Sequence, residues 1–386
     1  MGAGGTRPQA PSPEQLRSQR EVPIPPHKGV TQNDVSVPGM GQSQPIRGDR
    51  PGHFPPQPLL QAGRLRIRLA QQGGRDGMDS DTADYDTLLD PEMRAFVAKV
   101  DALYDPATAF APLGDQRAAY DRLCAAFDFP HPAGVVATDV TLGGRPCRRY
   151  VPWDAHPGVT VLYAHGGGYV VGSLASHDAI CAELAALSGL RLVAVDYRLA
   201  PEHLHPAQIE DVLAALDALL AGGDSVVLAG DSAGGTLAAL AAAARKGPRL
   251  AGQVLIYPAL GAGMDTASMQ LHANAPGLTR GDMKFYEGVR FARGVKGGAD
   301  AWPLLAADFD GLPPTVLFPA ECDPLADDAE LYAARLRAAG VPAEVITGRG
   351  LVHGHLRARH MSSAAGAHFR TIAGALARLA KGGDSV

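Results

Sequence analysis

Residues 225–236, Ser-Val-Val-Leu-Ala-Gly-Asp-Ser-Ala-Gly-Gly-Thr, are the stretch that most narrows what this chain folds into. The apolar run over residues 226–229 reads as a short buried strand. It enters Gly230-Asp231-Ser232-Ala233-Gly234, a G-x-S-x-G match, and then an Ala/Leu-rich helix from Thr236 to about Ala244. A serine on so sharp a strand-to-helix turn has an exposed hydroxyl, and its small neighbours let a carbonyl approach. Side chains at Gly230 or Gly234 would collide with the adjoining strand or helix. The helix N-terminus favours negative charge beside the serine. In a chain with 46 glycines the pentapeptide is a weak signal alone, and its weight comes from its partners.

Those partners lie on an alternating pattern. Strands are expected over residues 159–163, 192–197, 226–229, 253–257, 315–319 and 343–347. Helices are expected over residues 177–187, 207–220, 327–339 and 369–379, with an antiparallel edge pair at 138–142 and 148–151. Alternation of this kind predicts an α/β fold, a mostly parallel sheet with helices on both faces. Sites in such sheets gather at the carboxyl ends of strands, where every motif here falls. Before the sheet, Asp90-Pro91-Glu92 opens a helix carrying Met93, Phe96, Val97, Val100 and Leu103 at helical spacing, and a second helix is expected over residues 115–127. Residues 261–311 break the rhythm, with a helix start at Leu278-Thr279-Arg280-Gly281-Asp282. Residues 261–311 read as an insertion over the site, and the two N-terminal helices as either a lid or a packed arm.

Residues 1–77 differ in character. Rich in Pro, Gly, Gln and Arg, they read as a disordered N-terminal extension. Met78 is the expected natural start, leaving residues 78–386 as the folded unit. Over the whole chain, 46% hydrophobic residues supply a sizeable core, and a net charge of −5 gives no electrostatic case for nucleic acid. No run of 18 apolar residues predicts a membrane span. Cys124, Cys147, Cys181 and Cys322 have neither zinc nor redox spacing, so reduced thiols in a cytoplasmic protein are expected.

A serine hydroxyl needs a base, and the base needs an orienter. Asp323 follows a strand in Ala320-Glu321-Cys322-Asp323-Pro324-Leu325, and His353 follows the last expected strand in Gly350-Leu351-Val352-His353-Gly354. The chain order Ser, Asp, His is that of α/β-hydrolases. Among thirteen histidines His353 is the choice, with His355 and His360 as rivals; Asp327 and Asp328 rival Asp323. His165-Gly166-Gly167-Gly168 after a strand adds backbone N–H donors for a developing oxyanion. Gly167, Gly168 and Ala233 are the donors expected to supply them.

Four blocks together resemble the hormone-sensitive-lipase-like family of α/β-hydrolase carboxylesterases: His165-Gly166-Gly167-Gly168-Tyr169, Asp196-Tyr197-Arg198-Leu199-Ala200-Pro201-Glu202, Gly230-Asp231-Ser232-Ala233-Gly234-Gly235, and Asp323-Pro324-Leu325 with His353-Gly354. The resemblance runs from about Asp79 to the C-terminus and implies a cap formed by about residues 79–130 and 261–311. It implies hydrolysis of short- to medium-chain acyl esters through an acyl-enzyme on Ser232, with no metal and no cofactor. Ser232, His353 and Asp323 take the roles of nucleophile, general base and orienter. Glu202 and Asp231 fit positions that support the serine loop. The expected partner is a small-molecule ester, and a homodimer is compatible with the reading. The same site would cleave an activated amide such as an aryl formamide; non-catalytic receptors on this fold typically lose the histidine. One departure stands out: where the family carries an aromatic two residues after the histidine, this chain has His355, expected to alter the acyl pocket.

Overall fold

Runs with no polar face make the centre of the sheet. The computed structural model describes residues 83–104, 108 and 111–382, so the extension expected over residues 1–77 lies outside the described residues. Chain order begins with α1 (Tyr85–Leu88), α2 (Pro91–Leu103) and α3 (Leu113–Ala125). Then come β1 (Val135–Leu142), β2 (Arg145–Pro152), β3 (His156–Ala164), α4 (Asp178–Ser188) and β4 (Leu190–Val195). α5 (Ala207–Ala221), β5 (Ser225–Asp231), α6 (Ala233–Ala244) and β6 (Leu250–Ile256) follow. Next are α7 (Ala267–Leu271), α8 (Arg280–Arg290), β7 (Thr315–Phe318), β8 (Ala320–Cys322), α9 (Ala326–Ala338), β9 (Ala343–Val345), β10 (Gly348–Val352) and α10 (Ser363–Ala380).

Eight strands form one sheet in the order β1-β2-β4-β3-β5-β6-β7-β9. From β4 through β9 every neighbour is parallel, while β1 and β2 add an antiparallel edge. Successive side chains of β5 sort to opposite faces. Val226 and Leu228 pack with α5, α6 and α9, whereas Val227 and Ala229 pack with α4 and α10. Both faces are dry, which is why the strand reads as an unbroken apolar run.

Two features differ from expectation. The chain leaves the sheet after Val345, two residues early, and β10 pairs in parallel with β8 in a separate two-stranded sheet. Glu321 in β8 and the glycines of β10 hide these strands from any apolar pattern; Glu321 is held by Arg349 at 2.6 Å and by the Gly350 N–H at 2.7 Å. His353 thus follows β10, and the expected strand over residues 343–347 is not its immediate support. Leu103, expected on the apolar side of α2, is 47% exposed, because it sits at that helix's last residue.

The helices outside the sheet begin where their caps dictate. Asp90 Oδ1 accepts the Met93 N–H at 2.7 Å, with Pro91 first in α2. Thr279 and Asp282 form a reciprocal capping box at α8, the Thr279 N–H donating to Asp282 at 2.9 Å. Met93, Phe96 and Val97 pack onto Leu351 and Val352 of β10, and Tyr286 of α8 joins Val170, Val171 and Leu325. Both segments are thereby seated around the strand ends that carry the site. No helix among the described residues is long and apolar enough to cross a membrane.

Asp328 ties the start of the 261–311 segment to α9. Its Oδ2 accepts the N–H groups of Leu260 at 2.6 Å, Gly261 at 3.0 Å and Ala262 at 3.5 Å. Burial pushes this carboxyl up to about 7 from 3.8, against the pull of the three donors. A raised folded-state value means stability that is full below about pH 4 and lost as pH rises toward about 7. Asp328→Asn keeps an oxygen for the donors and has no such proton to lose, so it is expected to flatten that decline. Melting temperatures of both proteins from about pH 4 to about pH 8 check this; parallel curves would refute it.

Candidate active site

Ser232 sits between β5 and α6 at φ 53° and ψ −121°, a region a non-glycine residue occupies only when its surroundings force it. The Ser232 N–H donates to Ile256 O at 2.9 Å. A Cβ at Gly230 would lie 2.5 Å from the Gly234 carbonyl carbon, and one at Gly234 would lie 2.0 Å from Ala164 O. The turn is therefore possible only with those glycines, which leaves the serine hydroxyl at the end of the sheet.

The structure brings Ser232, His353 and Asp323 together. With Nδ1 protonated, His353 donates to Asp323 Oδ2 at 2.6 Å, and its Nε2 accepts from Ser232 Oγ at 2.9 Å. Asp323 is fully buried, and its other oxygen accepts the Leu325 N–H at 2.9 Å, which fixes the carboxylate plane. The rivals are elsewhere. Asp327 accepts the Ser268 N–H, and Asp328 serves the loop described above. His360 pairs with Glu183 at 2.8 Å.

His355 does not line the site pocket, which corrects the expectation that it alters it. Its ring is fully buried, 3.0 Å from Val352 O and 2.9 Å from Nδ1 of His368. Burial, then the neighbouring His368, holds it well below the usual histidine range. After Gly354, which takes φ 76°, the chain turns into a short 3-10 helix (His355–His360) that points this ring away from the serine and into the protein.

Asp231 joins the serine turn to the glycine loop. Its Oδ1 accepts from the Gly166 N–H at 2.9 Å and from Tyr163 Oη at 2.8 Å; Tyr257 Oη and His177 Nε2 stand 3.4 Å from the carboxylate. Burial opposes its ionisation, but His177, Arg357 and the Tyr163 hydroxyl outweigh that and hold it below the usual range. The loop then runs through Gly167 at φ 124° and Gly168 at φ 59°. Among the described residues no acceptor takes the N–H of Gly167, Gly168 or Ala233, and all three residues line the pocket that holds Ser232. His165 props the loop from behind, stacked on Tyr197 at 4.2 Å, its value pushed down to about 3 by burial and then by His177.

Glu202 lies off the serine loop, a correction to its expected role. Half exposed, it accepts from both terminal nitrogens of Arg117 at 2.8 Å, and Arg117 also donates to Val170 O and Ala200 O. The pair fastens α3 to the loop beyond the glycines. Arg117 stands 85 residues upstream, and no local pattern links the two.

Three further residues shape the site. Tyr257, at φ 33° just past β6, has its ring 4.7 Å from that of His353. Its place after a parallel strand was the available signal. Gly277 comes so close that a Cβ would lie 2.7 Å from His353 O. Arg357 lines the pocket from the 3-10 helix, and nothing in its sequence context marks it. Among the described residues no group of three or more His, Cys, Asp or Glu is placed to hold a metal ion. A hydroxyl bonded to an imidazole, a carboxyl group behind that ring and N–H groups without an acceptor among the described residues are the arrangement acyl transfer requires.

Over residues 161–357 the chain matches the family described by the alpha/beta hydrolase fold. It is 40% identical over 213 residues to esterase LipI of Mycobacterium tuberculosis, covering 51% of this chain and 65% of that protein, just under two thirds. Identity to the ethyl acetate hydrolase of Pseudomonas putida is 36% over 229 residues, covering 55% of this chain and 71% of that protein. A solved ester hydrolase from the metagenome of Lake Arreo superposes with a TM-score of 0.68 at 31% identity, covering 75% of this chain and 98% of that one.

Proposed function

The chain belongs to the hormone-sensitive-lipase-like α/β-hydrolase carboxylesterases, and on that footing we propose that it is a serine carboxylesterase acting on short- to medium-chain acyl esters. The observation that carries this reading is the relay from Ser232 Oγ to His353 at 2.9 Å and on to Asp323 at 2.6 Å.

In the proposed mechanism His353 Nε2 takes the Ser232 proton as Oγ attacks the ester carbonyl. Asp323 holds the imidazole in the required tautomer and stabilises the imidazolium. The carbonyl oxygen gains charge and is met by the N–H groups of Gly167, Gly168 and Ala233; losing one such donor typically costs about 3–4 kcal/mol. Collapse breaks the bond to the alkoxy oxygen, which leaves with the proton from His353. Water then attacks the acyl-serine, with His353 as base, and releases the acid.

The pocket over Ser232 has a volume of about 150 Å³ and is walled mainly by apolar side chains. A cavity of roughly this size admits a benzene-sized group, which favours the shorter acyl chains. A cytoplasmic setting belongs to the proposal as well, in keeping with four free, buried thiols.

The test pairs p-nitrophenyl esters from acetate to palmitate with an activated phosphonate ester that traps a nucleophilic serine. The expected result is fastest release from the short esters, with the phosphonyl group found on the peptide containing Ser232. Label on another residue, or no release from any ester, would reject the assignment.

A further inference from the structure

Arg357 is only 9% exposed, and the surface it keeps faces the pocket above Ser232. Its Nε donates to Cys124 Sγ at 3.1 Å and its Nη2 to Tyr120 Oη at 3.1 Å. Nη1 donates to no acceptor among the described residues, and no carboxylate there lies within ion-pair distance. A buried charge without a partner is expensive, and structural guanidiniums normally have one. Arg359, two residues on, is such a case: equally buried, it pairs with Glu183 at 2.6 Å. Arg290, also buried, is instead enclosed by the rings of Tyr169, Phe291 and Trp302. Arg357 has neither arrangement, only the Tyr120 ring at 5.3 Å.

Of the other charges on the pocket, Asp231 is near enough for Arg357 to help hold its carboxyl down, but it makes no ion pair with the guanidinium. Asp231 has its oxygens engaged by Gly166, Tyr163, Tyr257 and His177. Asp101 and Glu287 also line the pocket, but both are partly exposed and neither pairs with the guanidinium. A charged fork with a free donor, fixed by two side-chain bonds in a pocket walled mainly by apolar side chains, is a preformed anion site. Its planar geometry suits a carboxylate.

Resting on the carboxylesterase reading, we propose that Arg357 determines specificity by pairing with a carboxylate carried by the ester substrate. The preferred substrates are then acidic esters, such as half-esters of dicarboxylic acids or acyl esters of hydroxy acids. Neutral esters of the same size fill the apolar walls but leave the guanidinium unpaired.

Binding tests this without requiring turnover. Ser232→Ala protein is titrated calorimetrically with two matched pairs: mono-p-nitrophenyl adipate against its methyl ester, and 4-acetoxybenzoate against its methyl ester. The first pair puts the carboxylate on the acyl side, the second on the alcohol side. In at least one pair the charged member is expected to bind about ten- to a hundredfold more tightly, the range of one charge-assisted bond. Arg357→Met in the same background should erase the preference, and Arg357→Lys should keep part of it. Because each preference is a ratio on one protein, a general loss from the substitution cancels, and the first comparison has Arg357 intact. Neutral members binding as well as charged ones in both pairs would overturn the proposal. Hydrolysis of all four esters by the unsubstituted enzyme separately tests the esterase reading. If neither neutral nor charged esters are hydrolysed while the charged preference in binding persists, the esterase reading falls and the anion site stands.

Discussion

His353→Ala is expected to lower kcat for p-nitrophenyl esters by about 10⁴–10⁶, because relay members act as a unit. His353 reaches both Ser232 Oγ at 2.9 Å and Asp323 at 2.6 Å, and no other described side chain touches both. His355→Phe, two residues away, is expected to behave differently. Activity should remain within about tenfold and the order of acyl preference should not change, since that ring lies outside the pocket; tenfold corresponds to about 1.4 kcal/mol. Stability should drop instead. Phenylalanine leaves Val352 O and the His368 nitrogen without their partner, and each buried unsatisfied group costs about 1–3 kcal/mol. Measuring kcat/KM across the ester panel and the melting temperature of both variants separates these effects. An active His353→Ala with a dead His355→Phe would mean that the base has been misassigned.

These two histidines also mark where sequence reading ends. The serine turn is legible because its chemistry is local: a glycine is demanded on each side within two residues, and backbone atoms stand 2.0–2.5 Å from the missing Cβ positions. The capping box at α8 and the Asp90 cap are likewise written within four residues. Ser232 follows β5 of the large sheet, whereas Asp323 and His353 follow β8 and β10 of the small parallel pair; what the sequence shows is that each stands just after a strand. Where His355 points, by contrast, depends on Gly354 at φ 76° and on His368, thirteen residues away in α10. The two-stranded sheet of β8 and β10 was hidden because Glu321 and the glycines of β10 break the apolar pattern, while the pairing is long-range. Glu202 and Arg117 meet across 85 residues, so spacing carries no trace of their contact. Arg357 is the sharpest case. A lone arginine after a histidine loop reads as a surface charge until α3 is seen to cover it with Cys124 and Tyr120.

Gly168→Ala is expected to lower kcat by about 10²–10³, the loss that follows when an oxyanion donor is misplaced. The backbone there has φ 59°, and a Cβ would lie 2.2 Å from Tyr286 Cδ1, 2.3 Å from Cε1 and 2.6 Å from Cγ. Contact reaching Cγ cannot be relieved by swinging the ring tip, and Tyr286 is buried in the cluster between α8 and Val170 and Val171. The glycine loop must therefore shift, carrying the N–H groups of Gly167 and Gly168 away from the carbonyl oxygen, or α8 must. Left-handed backbone strain alone would cost about 1–2 kcal/mol. Gly144→Ala measures that strain separately, since Gly144 has φ 76° and nothing within 4 Å of the added carbon, in the turn between β1 and β2. Gly144→Ala should lose some melting temperature and no kcat. Combining Gly168→Ala with Tyr286→Ala removes the collision and leaves only the strain, so at least about tenfold of the lost kcat should return relative to Tyr286→Ala alone. Full activity in Gly168→Ala would mean that the loop does not hold the oxyanion, and the donors would have to be sought elsewhere on the pocket wall.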